Sequence, residues 1–156
     1  MTRHATGPKH LRRPEIAALV VTAARDGERR FNRYQLHAFV VMPNHVHLLV
    51  TPSVPATKWL GPLKGFTAHE ANRFLGLTGN PFWQNESHDH LVRSPEEFAR
   101  IQKYIESNPV SAGLVDSPEA FEWSSAAKLI VVDPYKAQEP AGRPILAAAA
   151  FRGGPR

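Results

Sequence analysis

The sequence predicts an α+β domain in which helices pack on an antiparallel sheet, and three observations carry that reading. Residues 14–26 (PEIAALVVTAARD) repeat apolar side chains at helical spacing, residues 34–51 read as two β-rich runs joined by a turn, and SPEE at residues 94–97 opens a further helix after another strand-like run. A length of 156 residues suits one domain with a single core.

In the first helix, Pro14 takes the opening position and Ile16, Leu19, Val20 and Ala23 recur on one face until Asp26-Gly27 closes it. YQLHAFVV (34–41) and HVHLLVT (45–51) are then strands, with Met42-Pro43-Asn44 as the hairpin turn. A second helix is expected from Pro62 to about Leu75, with Leu63, Phe66 and Phe74 in the core, Lys64, His69 and Arg73 toward solvent or phosphate, and Gly65 as a weak point. HDHLVRS (88–94) reads as another strand. Ser94 and Glu97 have the spacing of a capping box with Pro95 first in the helix, which should run to about Asn108, where Pro109 discourages continuation.

Residues 1–13 form a basic N-terminal segment, 14–131 the domain, and 132–156 (rich in Pro, Ala, Gly and Arg) a poorly ordered tail. The order helix, strand, strand, helix, strand, helix is a split βαβ sheet short of a first strand, since MTRHATGPKHLRR carries no strand-forming run.

The formal net charge of +5 and a pI near 9.9 favour a polyanionic partner, nucleic acid before a membrane surface. The absence of cysteine excludes a disulfide scaffold and thiolate metal sites and fits a reducing cytoplasm. No apolar run reaches about 18 residues and the amino terminus lacks the apolar stretch of a signal peptide, so a soluble cytoplasmic chain is expected.

Chemistry concentrates in two places. In an extended strand, His45 and His47 project from one face while Val46 and Leu48 project from the other, so two imidazoles sit side by side and can grip one divalent cation. On the third helix Phe98, Ile101 and Ile105 make the apolar stripe, Tyr104 falls at its margin, and Asn108 follows one turn later. Each feature alone has a bland reading, a surface histidine pair and a boundary tyrosine. Together, with the helix packed across the sheet, they offer a nucleophile, a Lewis-acid site and a third ligand for phosphodiester transfer.

LHAFVVMPNHVHLLVTP (36–52), FWQNESHDHLVRSPEEFARIQKYIESNPVSAGLV (82–115) and FEWSS (121–125) resemble the HUH single-tyrosine transposases, most closely the REP-associated tyrosine transposases of bacteria, over roughly residues 14–126. The resemblance implies the HUH endonuclease fold, a ferredoxin-like antiparallel sheet with helices packed on it. It implies that His45, His47 and Asn108 hold a divalent metal (Mg²⁺ or Mn²⁺) and that Tyr104 attacks single-stranded DNA to give a 5′-phosphotyrosine, with no nucleotide cofactor. The implied partner is hairpin or palindromic repeat DNA, with Lys64, Arg73 and Arg93 as candidate phosphate contacts. The implied setting is a nucleoid-associated bacterial protein, a monomer or homodimer.

Relatives of this kind begin with a strand that is central in the sheet; without it, unpaired backbone would lie beside the catalytic hairpin. The chain is then either started downstream of that strand or a shortened copy. This keeps two rivals in view. One is an inactive remnant that binds hairpin DNA without cutting it. The other is a metal-dependent hydrolase that uses His45, His47, His88 and His90, with Tyr104 structural. His88 and His90 also share a strand face, although the resemblance, with an aromatic at the position of His88, implies packing or DNA contact there.

Overall fold

A computed structural model describes residues 9–127 and 146–153. Helix α1 (Pro14–Arg29) opens on Pro14, whose missing N–H is one that a first helical turn leaves unpaired anyway. Ile16, Ala17, Val20, Ala23 and Ala24 turn one face of it into the core. The helix passes the Asp26-Gly27 pair expected to end it, because Gly27 serves clearance rather than termination. The Tyr34 ring crosses that position so closely that a Cβ on Gly27 would lie 2.2 Å from the phenol oxygen. Tyr34 donates its hydroxyl to the Ala24 carbonyl at 2.5 Å, and burial, reinforced by Glu28, pushes the phenol well above its ordinary pKa. Gly27→Ala is therefore expected to displace Tyr34 and cost about 1–3 kcal/mol, the range for overpacking. Urea unfolding measures this, and an unchanged midpoint would contradict it.

Strands β1 (Tyr34–Val41) and β2 (His45–Pro52) form the expected hairpin, with a register irregularity between Leu36 and Ala38. Helix α2 (Ala56–Leu75) begins earlier than expected and carries Pro62 in its interior. The earlier start has a packing cause, since it buries Trp59 and Leu60. Phe66 and Phe74, expected in the core, are 54% and 50% exposed, and the Arg13 guanidinium lies over the Phe74 ring at 4.8 Å. Gly76, at φ +70°, closes the helix in the left-handed conformation that glycine adopts without strain.

Strand β3 (Trp83–Val92) also starts ahead of the expected residue 88, because Phe82 and Trp83 are buried against the helices. Helix α3 (Pro95–Ser111) runs through Pro109, which is buried near its end, where only the final turn forgoes a ladder bond. Among the described residues the sheet is four-stranded and antiparallel, in the order β1-β2-β4-β3.

Strand β4 (Leu146–Gly153) is the main departure from expectation. Residues 146–153 fall in the stretch expected to be a poorly ordered tail, yet they lie between β2 and β3, where both neighbours satisfy their backbone groups. The remainder of that tail, 132–145 and 154–156, lies outside the described residues, as do residues 1–8 of the N-terminal segment. Among the described residues no strand precedes α1, and β4 fills the place beside β2 that the missing strand was expected to leave open.

The sheet separates two cores. On one face α1 and α2 pack with Val46, Leu48, Val50, Trp83 and Phe151; on the other α3 brings Ile105 against Ala38, Val40, Leu49 and Val92. No helix among the described residues is long and apolar enough to cross a membrane.

Candidate active site

Alternation along β2 buries Val46 and Leu48 under α1 and α2 and leaves His45 and His47 half-buried on the α3 face. Their ring centroids are 4.9 Å apart, nearly perpendicular at 83°. The hairpin turn supplies Asn44, itself buried, whose Oδ1 lies 2.8 Å from His45 Nδ1. An amide oxygen only accepts, so in this contact Nδ1 donates and the ring lone pair of His45 lies on Nε2. The sequence showed Asn44 only as a turn residue; its position directly before the histidine pair was the available signal of this second role.

Tyr104 reaches the pair because α3 doubles back over the sheet. Val92 pairs with Leu146 at one end of β4 and His45 pairs with Arg152 at the other, so a helix leaving β3 must return along the strands. Nine residues at 1.5 Å each carry it roughly 14 Å from Pro95 to Tyr104. The start is fixed by Ser94, whose hydroxyl accepts from Glu97 N–H at 3.1 Å. Glu97 bonds to His90 and accepts from Arg93 N–H, and these two contacts hold its carboxyl below the usual carboxylate range. A depressed carboxylate stabilises at neutral pH and loses that contribution as pH falls through its lowered pKa, so this anchor persists through mildly acid solution. The middle of α3 is clamped by Ser125, which donates to Glu106 at 2.9 Å while its backbone N–H bonds the Phe39 carbonyl of β1.

The result is a His47–Tyr104 ring contact, centroids 5.7 Å apart and edge-on at 75°. Tyr104 is 55% exposed, further toward solvent than the margin its helical angle suggested, while its neighbour Ile105 is fully buried. Asn108 is half-buried, one turn further along α3. Of the other two tyrosines, Tyr34 is buried and bonded to Ala24, and Tyr135 falls outside the described residues.

The candidate phosphate contacts do not gather here. Lys64 and Arg73 belong to α2, on the opposite face of the sheet. The Lys64 ammonium donates to the Gln84 carbonyl and to Ser87 Oγ, both at 2.9 Å, tying α2 to β3, and burial lowers its pKa while Asp89 opposes the shift. Arg73 is exposed and 3.5 Å from Glu70. Arg93, exposed at the turn between β3 and α3, is at the far end of the sheet from His45.

His88 shares the α3 face with His47, but β4 stands between them, since Ala150 pairs with both residues. That puts their backbones about 9.6 Å apart, two strand spacings. His90 bonds to Glu97. Among the described residues no group of three or more His, Asp or Glu side chains is placed to hold a metal ion. Any cation at His45 and His47 therefore needs a ligand of another kind, as an open catalytic site does.

A family described as "Transposase IS200 like" matches residues 22–108, more than half of the 156-residue chain. The matched stretch runs from α1 through the histidine pair and Tyr104 to Asn108. No curated protein and no solved structure matches the chain.

Proposed function

The chain belongs to the IS200-like transposase family, and we propose that it cleaves and rejoins single-stranded DNA through a 5′-phosphotyrosine at Tyr104. Its substrates are hairpin or palindromic repeats in the bacterial cytoplasm, met by a monomer or a homodimer. The observation that supports this most directly is the 5.7 Å contact between the Tyr104 ring and His47, the second imidazole of a pair.

In the reaction the Tyr104 hydroxyl loses its proton and attacks phosphorus, and the bond to the 3′ oxygen breaks. The products are a free 3′-hydroxyl and a phosphate ester joining Tyr104 to the 5′ end. Attack by a 3′-hydroxyl on that ester reverses the step, so rejoining needs no nucleotide cofactor.

The donor set suits a divalent ion of the Mg²⁺ or Mn²⁺ kind: His45 through Nε2, with Nδ1 committed to Asn44, His47 beside it, and the Asn108 amide oxygen as third ligand. When bound, such an ion would polarise the scissile phosphate and favour the phenolate. The remaining work belongs to the chain. Asn44 fixes the tautomer of His45, His47 fixes the edge of the Tyr104 ring, and the exposure of Tyr104 admits an extended DNA strand.

Labelled single-stranded hairpin DNA incubated with the protein and Mg²⁺ or Mn²⁺ is expected to yield a protein–DNA adduct that survives denaturation. Binding without adduct would instead support a hairpin-binding remnant, and metal-dependent hydrolysis without adduct the hydrolase. Neither rival has strong local support: the place beside the histidine strand is filled by β4, and β4 also separates His88 from His47. Asn108→Ala should raise the metal concentration for half-maximal cleavage roughly tenfold or more, on the scale of losing a metal-site partner. An unchanged metal titration would leave Asn108 a residue of the helix end only.

A further inference from the structure

Strand β4 is hydrogen-bonded to both strands on which the proposed chemistry depends. On one side it pairs with β2 from His45↔Arg152 to Val50↔Ala147, and on the other with β3 from Ser87↔Phe151 to Val92↔Leu146. β2 carries the histidines, and β3 leads directly into α3, which carries Tyr104. Helix α3 leaves β3 just after Val92 and seats Ile105 in one cluster with Val92, Leu49 of β2, and Ala38 and Val40 of β1.

The width of that span is therefore set by the strand in the middle. With β4 in place, β2 and β3 stand two spacings apart; if they closed on each other the separation would fall by about 4.8 Å. A shift of that size is comparable with the whole 5.7 Å separation of the His47 and Tyr104 rings. The anchor of β4 is Phe151, 1% exposed, with its ring 4.8 Å from Trp83, whose indole N–H bonds Thr67 of α2 at 2.9 Å. The chain's last described segment is thus tied to β3 and, through Trp83, to α2.

We infer that residues 146–153, docked on their own chain, are the positioning strand that holds His47 and Tyr104 at their working separation. The purpose of that separation rests on the phosphotyrosine reading; the docking and the spacing do not.

The chain has no cysteine, so Leu91→Cys with Ala147→Cys introduces one defined pair. These residues are partners across β3 and β4 and lie outside the proposed machinery. Antiparallel partners sit about 4.5–5.5 Å apart at Cα, within the disulfide range of about 4.4–6.8 Å. Oxidation is expected to cross-link them within one chain, which then runs as a monomer on a non-reducing gel. Phe151→Ala should weaken the nuclear Overhauser contact between the His47 and Tyr104 rings and lower adduct formation at least about tenfold, roughly the effect of losing 1.4 kcal/mol. Phe151→Leu, which keeps an apolar anchor, should resemble the parent chain. Adding the oxidised cysteine pair to Phe151→Ala should restore both signals, and reductant should remove them again.

A disulfide between chains, no disulfide at all, or a Phe151→Ala protein with the parent's ring contact would overturn the inference. If the parent chain forms no adduct, the cross-link and the ring contact still decide it, while the phosphotyrosine reading fails separately.

Discussion

Tyr104→Phe is expected to abolish the covalent protein–DNA adduct and strand cleavage together, with a loss on the order of 10³-fold or more, as when a nucleophile is removed. The change deletes one oxygen and keeps the ring, so the edge-on packing against His47 should survive. Because Tyr104 is 55% exposed, the unfolding free energy should move by no more than about 0.5 kcal/mol, the usual range for surface substitutions. DNA binding should also persist, since contacts to phosphates supply most of its affinity. Tyr34 is a poor substitute nucleophile: its hydroxyl is buried and given to the Ala24 carbonyl, and its pKa is raised. Gel electrophoresis of labelled DNA after denaturation reads the adduct directly. An adduct formed by the Phe variant would show that another group attacks.

How far the sequence disclosed this arrangement depended on whether local rules or tertiary contacts decided each element. The hairpin was legible because alternation along 34–41 and 45–51 is a local signal, and the shared face of His45 and His47 follows from it. The start of α3 was legible too, because Ser94 accepts from Glu97 N–H as the spacing predicts, although the Glu97 carboxylate takes Arg93 N–H and His90 rather than returning to Ser94 N–H. Pro62 misled, since a proline that suits a first helical position can also sit inside a helix when the preceding turn buries Trp59 and Leu60. The apolarity of Phe66 and Phe74 predicts core positions, although α2 turns both outward. Strand β4 was the least legible element, because ILAAAAF has no alternation and alanine favours helix. Its conformation is imposed by two long strands on either side of it, a context that no window of the sequence contains. The same holds for Asn44, whose bond to His45 is visible only once the turn is folded. The shared face of the histidine pair was therefore legible in a short window of sequence, while the strand that lies between β2 and β3 was not.

Replacing His45 and His47 together by Ala should remove metal-dependent cleavage while leaving hairpin binding largely intact. Polarisation of a phosphoryl oxygen by a bound cation contributes several kcal/mol, so a loss of about 4 kcal/mol corresponds to a rate lower by roughly 10³-fold. Binding should hold because neither imidazole is among the basic side chains that would neutralise phosphates. The fold should hold as well, since both histidines are only half-buried and the β2 backbone keeps its pairing with β1 and β4. The single changes separate two roles. His45→Ala removes one proposed ligand, along with its bond to Asn44, and should act mainly through metal affinity. His47→Ala removes a proposed ligand and also the ring against which Tyr104 rests, so excess Mn²⁺ should rescue it less completely than His45→Ala. The measurement is cleavage of labelled hairpin DNA across a Mn²⁺ titration, with binding followed in parallel by fluorescence anisotropy. Undiminished cleavage by the double variant would dismiss this pair as the metal site, and equal rescue of the two single variants would dismiss the positioning role of His47.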